Sequence, residues 1–224
     1  MNPLTVLRDS FHFFSRHLAS IAPLCLPLIA VECLVRALIS GLADAGHLPA
    51  YELLVGLFFY PLYSAALILY LDARSQGQRP SARNLLAAAV QMWPPFAVLA
   101  GLTTLLIMLS GALLLPLALW VMVKLAFAEY FLVLRGASPL QAMRESFLLS
   151  VGHFWSLLAC VLLVIVPLWL LDDWTLQLLG EQTDTVGSLL LDIVNGFLQL
   201  FSSVVLFRCY MLCSQRPTED SHSS

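Results

Sequence analysis

Residues 94–134 read PPFAVLAGLTTLLIMLSGALLLPLALWVMVKLAFAEYFLVL, an apolar run that includes only two charged side chains. An α-helix rises 1.5 Å per residue, so about 20 residues cross the ~30 Å hydrocarbon core of a bilayer. The run is therefore about twice the length of one crossing. Ser110, Gly111 and Pro116 favour a turn near its middle. The sequence predicts two membrane-spanning helices here, at 94–113 and 114–134.

The composition extends this interpretation to the whole chain. Hydrophobic residues make up 60% of the 224 residues, charged residues only 11%, and the mean hydropathy is +0.87. A soluble domain is far less apolar. We therefore predict an all-α, polytopic membrane protein with six transmembrane helices. The predicted spans are 18–40, 51–71, 94–113, 114–134, 153–171 and 187–212.

The basic residues outside the spans lie on one side of this arrangement. They precede the first span and follow the second, fourth and sixth, and the intervening loops contain none. By the positive-inside rule, this predicts that both termini are cytoplasmic. Anionic lipid headgroups are the expected partners of such a face. Nucleic acid is not expected, because the chain lacks a concentrated basic patch with stacking aromatic side chains.

One short motif occurs twice, as NPLTVLRDSF at 2–11 and as SPLQAMRESF at 138–147. In each copy a capping residue is followed by proline, which is typical of a helix start. Apolar residues then recur at helical spacing, so we predict two amphipathic helices lying along the cytoplasmic membrane surface. The residues of this interfacial motif are Pro3, Arg8, Ser10, Phe11 and His17 in the first copy, and Pro139, Arg144, Ser146, Phe147 and His153 in the second.

The motif suggests an internal repeat in which an interfacial helix leads into a helical hairpin. We predict one integral-membrane domain over 1–217, with repeat 1 at 1–80, a divergent middle unit at 81–135 and repeat 2 at 136–217. A disordered cytoplasmic tail is expected at 218–224. The middle unit begins with PSARNLLAAAVQMW at 80–93, which matches only in pattern. Repeats of this kind occur in transporters, but duplication of a passive scaffold leaves the same trace.

Two stretches carry a family resemblance. GASPLQAMRESFLLSVGHFW at 136–155 and LFRCYML at 206–212 resemble the YciC-like family of uncharacterised bacterial inner-membrane proteins. The first stretch is also similar, more distantly, to the membrane domain attached to some glycerophosphodiester phosphodiesterases. The resemblance implies a bacterial inner-membrane location and no established chemistry. The phosphodiesterase activity is not implied, because the chain carries no counterpart of its catalytic domain.

Six charged residues fall within the predicted spans, where an unpaired charge costs up to about 2.5–3.5 kcal/mol. Counting along the helices predicts three pairs, one at each depth. Arg36 can instead reach Glu32 within its own helix, at i,i+4 spacing. These charges either fix the register of helices one, four and six, or line a polar route that uses Glu32, Lys124 and Asp192. The predicted pairs are Glu32 with Lys124, Arg36 with Asp192, and Glu129 with Arg208.

The sequence contains no nucleophile–base arrangement, phosphate-binding glycine loop, dinucleotide fingerprint or zinc motif. We therefore expect a non-enzymatic protein with no cofactor and no metal. The first functional hypothesis is a role in envelope or lipid homeostasis through contacts with lipid or with partner helices. A membrane-protein partner or a homo-oligomer is possible within it. The alternative is a small transporter or channel that uses the buried charges.

Overall fold

A computed structural model describes residues 3–42, 48–152, 154–179 and 185–215, and this described part of the chain is helical with short connections. Asn2, His153 and the tail at 218–224 lie outside the described residues. The helices are α1 (Pro3–Leu42), α2 (Leu48–Ser75), α3 (Ala82–Leu113), α4 (Leu115–Leu125), α5 (Ala128–Arg135), α6 (Pro139–Leu149), α7 (Phe154–Leu179) and α8 (Thr185–Gln215).

Among the described residues, six helical segments are long and apolar enough to cross a membrane, as the sequence predicts. Large apolar side chains such as Leu105, Leu115 and Trp155 are exposed on the outside of the bundle. An exposed apolar surface of this extent is typical of contact with lipid. The six segments are Leu4–Gly41, Ala50–Ser75, Ala82–Leu113, Leu115–Arg135, Phe154–Leu171 and Leu189–Ser214.

The predicted turn inside 94–134 is confirmed. Helix α3 ends at Leu113 and α4 begins at Leu115, and Leu114 between them has an extended backbone. The Leu114 N–H group donates to the Ser110 carbonyl at 2.9 Å, so the chain turns without leaving that donor unpaired. Pro116 lies in the first turn of α4, where its missing N–H group costs nothing.

The fourth span contains a second break, which the sequence did not predict. Helix α4 ends at Leu125 and α5 begins at Ala128. The Ser146 hydroxyl, on α6, bridges the break: it donates to the Lys124 carbonyl at 2.8 Å and accepts from the Phe127 N–H group at 3.0 Å. Ser146 is fully buried. A single side chain of the repeated motif thus supplies two backbone hydrogen bonds that the interrupted helix lacks.

The two copies of the motif differ in how they connect to the next span. The second copy forms the separate helix α6, which ends in a turn at Ser150–Gly152 with Gly152 at φ +84°. The first copy continues without a break into the 40-residue helix α1. The position that corresponds to Gly152, 136 residues earlier, is Arg16. A side chain there disfavours positive φ, so the helix continues.

Both copies nevertheless bury the same positions. The order of exposed, half-buried and buried residues is identical over 4–14 and 140–150. The same order recurs over 83–92, in the middle unit, against 140–149. The packing is also similar, because α1 packs on α8, α3 on α2 and α6 on α5. The buried positions are Val6, Ser10 and Phe14, then Leu85 and Ala89, then Ala142, Ser146 and Ser150.

Helices α2, α5 and α8 meet at the centre of the bundle. The Tyr130 hydroxyl of α5 donates to the Ser203 carbonyl of α8 at 2.8 Å, and its ring stacks on Tyr210 at 5.5 Å. Helices α1 and α8 approach closely at Gly196, where an added Cβ atom would lie 2.9 Å from Ile29. Small residues allow such close packing between membrane helices.

The two copies provide a matched test of the helix break. Ser146→Ala leaves the Phe127 N–H and Lys124 C=O groups unpaired, so we expect the free energy of unfolding to fall by about 1–3 kcal/mol. The Ser10 hydroxyl is also buried, but it has no hydrogen-bond partner among the described residues. Ser10→Ala should therefore be neutral or stabilising. Unfolding of the purified protein in detergent measures both, and equal losses would contradict the bridging role.

Candidate functional site

Several charged side chains meet at the end of the bundle where α1 begins and α2 and α8 end. They line an open cleft of about 670 Å³, called here the basic cleft. Its four arginines and two histidines face only one carboxylate in this lining. The residues of the basic cleft are Arg8, Asp9, His12, Phe13, Arg16, His17, Arg74 and Arg208.

Only part of this positive charge is neutralised locally. Arg208 lies 3.6 Å from Asp9. Within the described part of the chain, no carboxylate forms an ion pair with the other three arginines of the cleft. His17 stacks on Phe13 at 4.2 Å, and its Nδ1 atom lies 2.9 Å from the Phe13 carbonyl oxygen. Because a carbonyl oxygen only accepts, the Nδ1 atom carries a proton in this contact.

A second polar site, the polar groove, lies toward the opposite end, between α1, α2 and α8. It has a volume of about 480 Å³, and three carboxylates and one guanidinium line it. Glu32 and Arg36 form an ion pair at 2.5 Å; the Glu32 side chain is 7% exposed and the Arg36 side chain 43%. The buried carboxylate is thus neutralised while the guanidinium reaches the groove. The charged residues of the polar groove are Glu32, Arg36, Glu52 and Asp192.

The structure corrects the predicted ion pairs. Glu32 pairs with Arg36, the alternative that the sequence left open, and not with Lys124. Arg208 pairs with Asp9 and not with Glu129. Both corrections have the same physical reason, because each charge finds a partner on its own helix or at the end of the bundle. Arg36 and Asp192 do line the same groove, as their predicted depth requires.

Lys124 is held by aromatic rings. Its Nζ atom lies 4.9 Å from the ring centre of Phe147 and 5.9 Å from that of Trp120, and the residue is buried. Cation–π contacts of this kind stabilise a desolvated ammonium by about 2 kcal/mol. Trp120 and Lys124 are four residues apart, a spacing from which the contact could have been predicted. Lys124 lines neither the polar groove nor the basic cleft.

Glu129 has hydroxyl partners. The Tyr60 hydroxyl donates to Oε1 at 2.5 Å and the Ser64 hydroxyl to Oε2 at 3.1 Å. The carboxylate also lines a partly open space of about 190 Å³, called here the interior cavity. Sequence reasoning missed Tyr60 and Ser64, because it considered only charged residues inside the spans. With Tyr63, they form a polar face at helical spacing in the middle of α2, where the neighbouring residues are apolar.

The remaining residues of the interfacial motif have several different structural roles. Pro3 and Pro139 begin α1 and α6. Phe11 packs edge-on against Phe201 of α8 at 6.2 Å. Arg144 is exposed beside the Lys124 site and lines the same surface pocket. The motif therefore contributes Arg8 and His17 to the basic cleft, whereas its other described members pack helices together or cover Lys124.

Six long apolar helices in the described part of the chain are the defining feature of a multi-pass α-helical membrane protein. No protein-family model matches the chain, and no solved structure matches it significantly.

A double-mutant cycle tests the corrected ion pair. Arg36→Met leaves the Glu32 carboxylate unpaired in a buried position, so we expect a clear loss of stability. Adding Glu32→Gln should recover most of it, with a coupling free energy of about 1–3 kcal/mol between the two changes. The cycle of Lys124→Met with Glu32→Gln is the control and should be additive. If Glu32 instead coupled to Lys124 and not to Arg36, the Glu32–Lys124 pair predicted from helix depth would be correct.

Proposed function

We propose that this chain is a non-enzymatic multi-pass membrane protein that binds anionic phospholipid headgroups in the basic cleft and acts in envelope or lipid homeostasis. The single observation that carries the proposal is the convergence of Arg8, Arg16 and Arg74 without a carboxylate partner among the described residues. Guanidinium groups bind phosphate through paired N–H donors. An open cleft with this excess of arginine suits one or more lipid phosphates.

The location of the cleft fits a membrane surface. It lies at the bundle end where the basic residues collect, and we place that end in the cytoplasm of a bacterium, with the chain in the inner membrane and both termini cytoplasmic. The positive-inside rule supports this orientation. The cytoplasmic leaflet carries anionic lipid, and each nearby arginine adds about 1 kcal/mol of attraction. The exposed apolar residues Leu140 and Leu148 of α6 support an amphipathic helix at the same surface.

We further propose that the chain contains three related units, over 1–80, 81–135 and 136–217. The order of exposed, half-buried and buried residues supports this, because it is the same over 4–14 and 140–150. It is also the same over 83–93, except at residue 93. The cyclic packing, in which the first helix of each unit contacts the last helix of the unit before it, supports the three units as well.

The ion pairs follow the same relation. Asp9 pairs with Arg208 of α8, and Glu145, which lies 136 residues after Asp9, pairs with Arg135 of α5 at 3.8 Å. The corresponding position in the middle unit is Ala88. The middle unit therefore has no carboxylate at this position. Arg74 of α2, which has no ion-pair partner among the described residues, lines the basic cleft.

Lipid binding by paired variants tests the proposed function. The double variant Arg8→Ala with Arg16→Ala removes two cleft arginines, and at about 1 kcal/mol each we expect roughly a 30-fold loss of affinity for phosphatidylglycerol. Native mass spectrometry of protein released from nanodiscs, with phosphatidylcholine as the neutral reference, measures the loss. The control is Arg79→Ala with Arg83→Ala, which removes two exposed arginines outside the cleft. Equal losses would mean a diffuse basic surface and would contradict a site in the cleft.

One observation favours a second candidate function, a transporter or channel. The polar groove ends at Tyr63, whose ring lies 5.7 Å from that of Tyr60, and Tyr60 contacts Glu129 at the interior cavity. Polar groups inside a membrane domain are candidates for an ion or solute route. The route considered from sequence then changes, because Glu129 takes the place that was assigned to Lys124.

Cysteine labelling tests this second function. In a background without native cysteines, Thr103→Cys in the interior cavity should react with a charged, membrane-impermeant methanethiosulfonate only if water connects the cavity to the groove. Ser40→Cys in the groove is the positive control, and Ala66→Cys, which is fully buried, is the negative control. A Thr103→Cys variant that stays unlabelled while Ser40→Cys reacts would exclude an open aqueous route.

A further inference from the structure

The interior cavity lies among α2, α3, α4, α5, α7 and α8, and it has one polar end. Glu129, Tyr60 and Tyr130 form that end. The other walls are mostly apolar, with the hydroxyl residues Thr103, Ser202 and Ser203 among them, and they reach the outer surface of the bundle at Ile165, which is exposed. The aliphatic residues that line the walls include Ile107, Leu125, Val161, Val164, Ile165 and Val205.

The Glu129 carboxylate has unused acceptor capacity toward this cavity. Each of its oxygens accepts one hydrogen bond from a hydroxyl of α2. Each oxygen also has a second lone pair. Glu129 is only half-buried although helices surround it, because its remaining exposed surface faces the cavity. Among the described residues, no lysine, arginine or histidine forms an ion pair with it.

The chemistry of this site defines the group that would complete it. A carboxylate in a low-dielectric surrounding is stabilised most by a positive charge that also donates hydrogen bonds. A protonated amine offers both, with up to three N–H donors in a compact group. The mostly apolar walls suit an alkyl chain better than a hydrated metal ion. At about 190 Å³ the cavity is smaller than the ~300–1,000 Å³ of sites for drug-sized ligands, so the rest of such a chain would extend past Ile165 toward lipid.

We infer that the interior cavity binds the ammonium group of an amphiphilic amine, with Glu129 as its counter-ion and Tyr60 and Ser64 as positioning residues. This site differs from the basic cleft in location and in sign, because the cleft selects an anion and the cavity a cation. It therefore does not depend on the proposed lipid-headgroup function. A proton on the carboxylate is the competing occupant. The other titratable groups near the carboxylate are Tyr60, Tyr63, Tyr130, Cys160 and Cys209.

The test compares two probes of similar length and shape, decylammonium and decanol, on the full chain in nanodiscs. Only decylammonium carries a charge, so the ratio of the protein's affinities for decylammonium and decanol isolates the contribution of the carboxylate. We expect wild-type protein to bind decylammonium about tenfold more tightly or better, since hydrogen bonds between charged groups are the strong ones. Native mass spectrometry and the shift of the unfolding temperature with probe concentration both measure this ratio.

Variants then assign the preference to one carboxylate. Glu129→Gln keeps the shape and should reduce the ratio to about one while decanol still binds. Glu145→Gln removes a carboxylate outside the cavity and should leave the ratio unchanged. Val161→Phe narrows the cavity without touching the carboxylate and should weaken both probes. Arg8→Ala with Arg16→Ala should retain the ratio, which separates this test from that of the basic cleft.

Two results would overturn the inference. The first is a wild-type protein with no preference for decylammonium, a result that needs no variant to fold. The second is a preference that survives in Glu129→Gln. If Glu129→Gln removes a pH-dependence of the unfolding temperature but wild-type protein shows no preference between the probes, the carboxylate binds a proton only, and the ammonium site is wrong.

Discussion

Backbone hydrogen bonding in hydrocarbon is the constraint on which this structure depends. Without water, every N–H and C=O group of a spanning segment must find a partner within the protein. The chain can therefore interrupt a helix only where a partner is available. At Leu114 the partner is the Ser110 carbonyl, one turn earlier in the same helix. At Phe127 it is the Ser146 hydroxyl, from a different helix. The second break thus fixes α6 against α4 and α5, whereas the first is purely local.

The charged residues inside the predicted spans also find their partners at short range. Glu32 forms an ion pair with Arg36 one turn away, Lys124 makes cation–π contacts with Trp120 and Phe147, and Glu129 accepts hydrogen bonds from two hydroxyls of α2. Two of these arrangements involve residues four apart, which are in contact as soon as the helix forms. Of the three ion pairs predicted between helices one, four and six, Glu32 with Lys124 and Glu129 with Arg208 do not form, and the pair that joins α1 to α8 is Asp9 with Arg208 at the end of the bundle. Close packing holds these helices, as between Gly196 and Ile29, and so do aromatic contacts such as Tyr130 with Tyr210.

Two kinds of feature could be predicted from the sequence: those set by hydropathy averaged over about 20 residues, and those set by the turn preferences of individual residues. Hydropathy located the six candidate spans, and Ser110, Gly111 and Pro116 located the turn. Both properties act at the position in the sequence where the residues occur. The hydroxyl partners of Glu129 were not predicted, because Tyr60 and Ser64 barely alter hydropathy and lie 69 and 65 residues away along the chain. The break at Phe127 was missed for a related reason. The side chain that bridges it is Ser146, which the sequence analysis placed on a surface helix.

Differences between the proposed units account for the position of the basic cleft. In the first unit Arg16 occupies the place that Gly152 has in the third, and this single difference has two effects. It lets α1 continue as one helix, and it adds a guanidinium one turn from His12, on the side that faces α2 and α8. The proposed middle unit differs as well, because the uncharged Ala88 stands at the position of Asp9 and Glu145. The first helix of the chain packs beside the last, so Arg8 and Arg16 of α1 lie in the same cleft as Arg208 of α8. The proposed anion site thus combines arginines from α1, α2 and α8, and the packing of α1 on both α2 and α8 brings together charges that are far apart in the sequence.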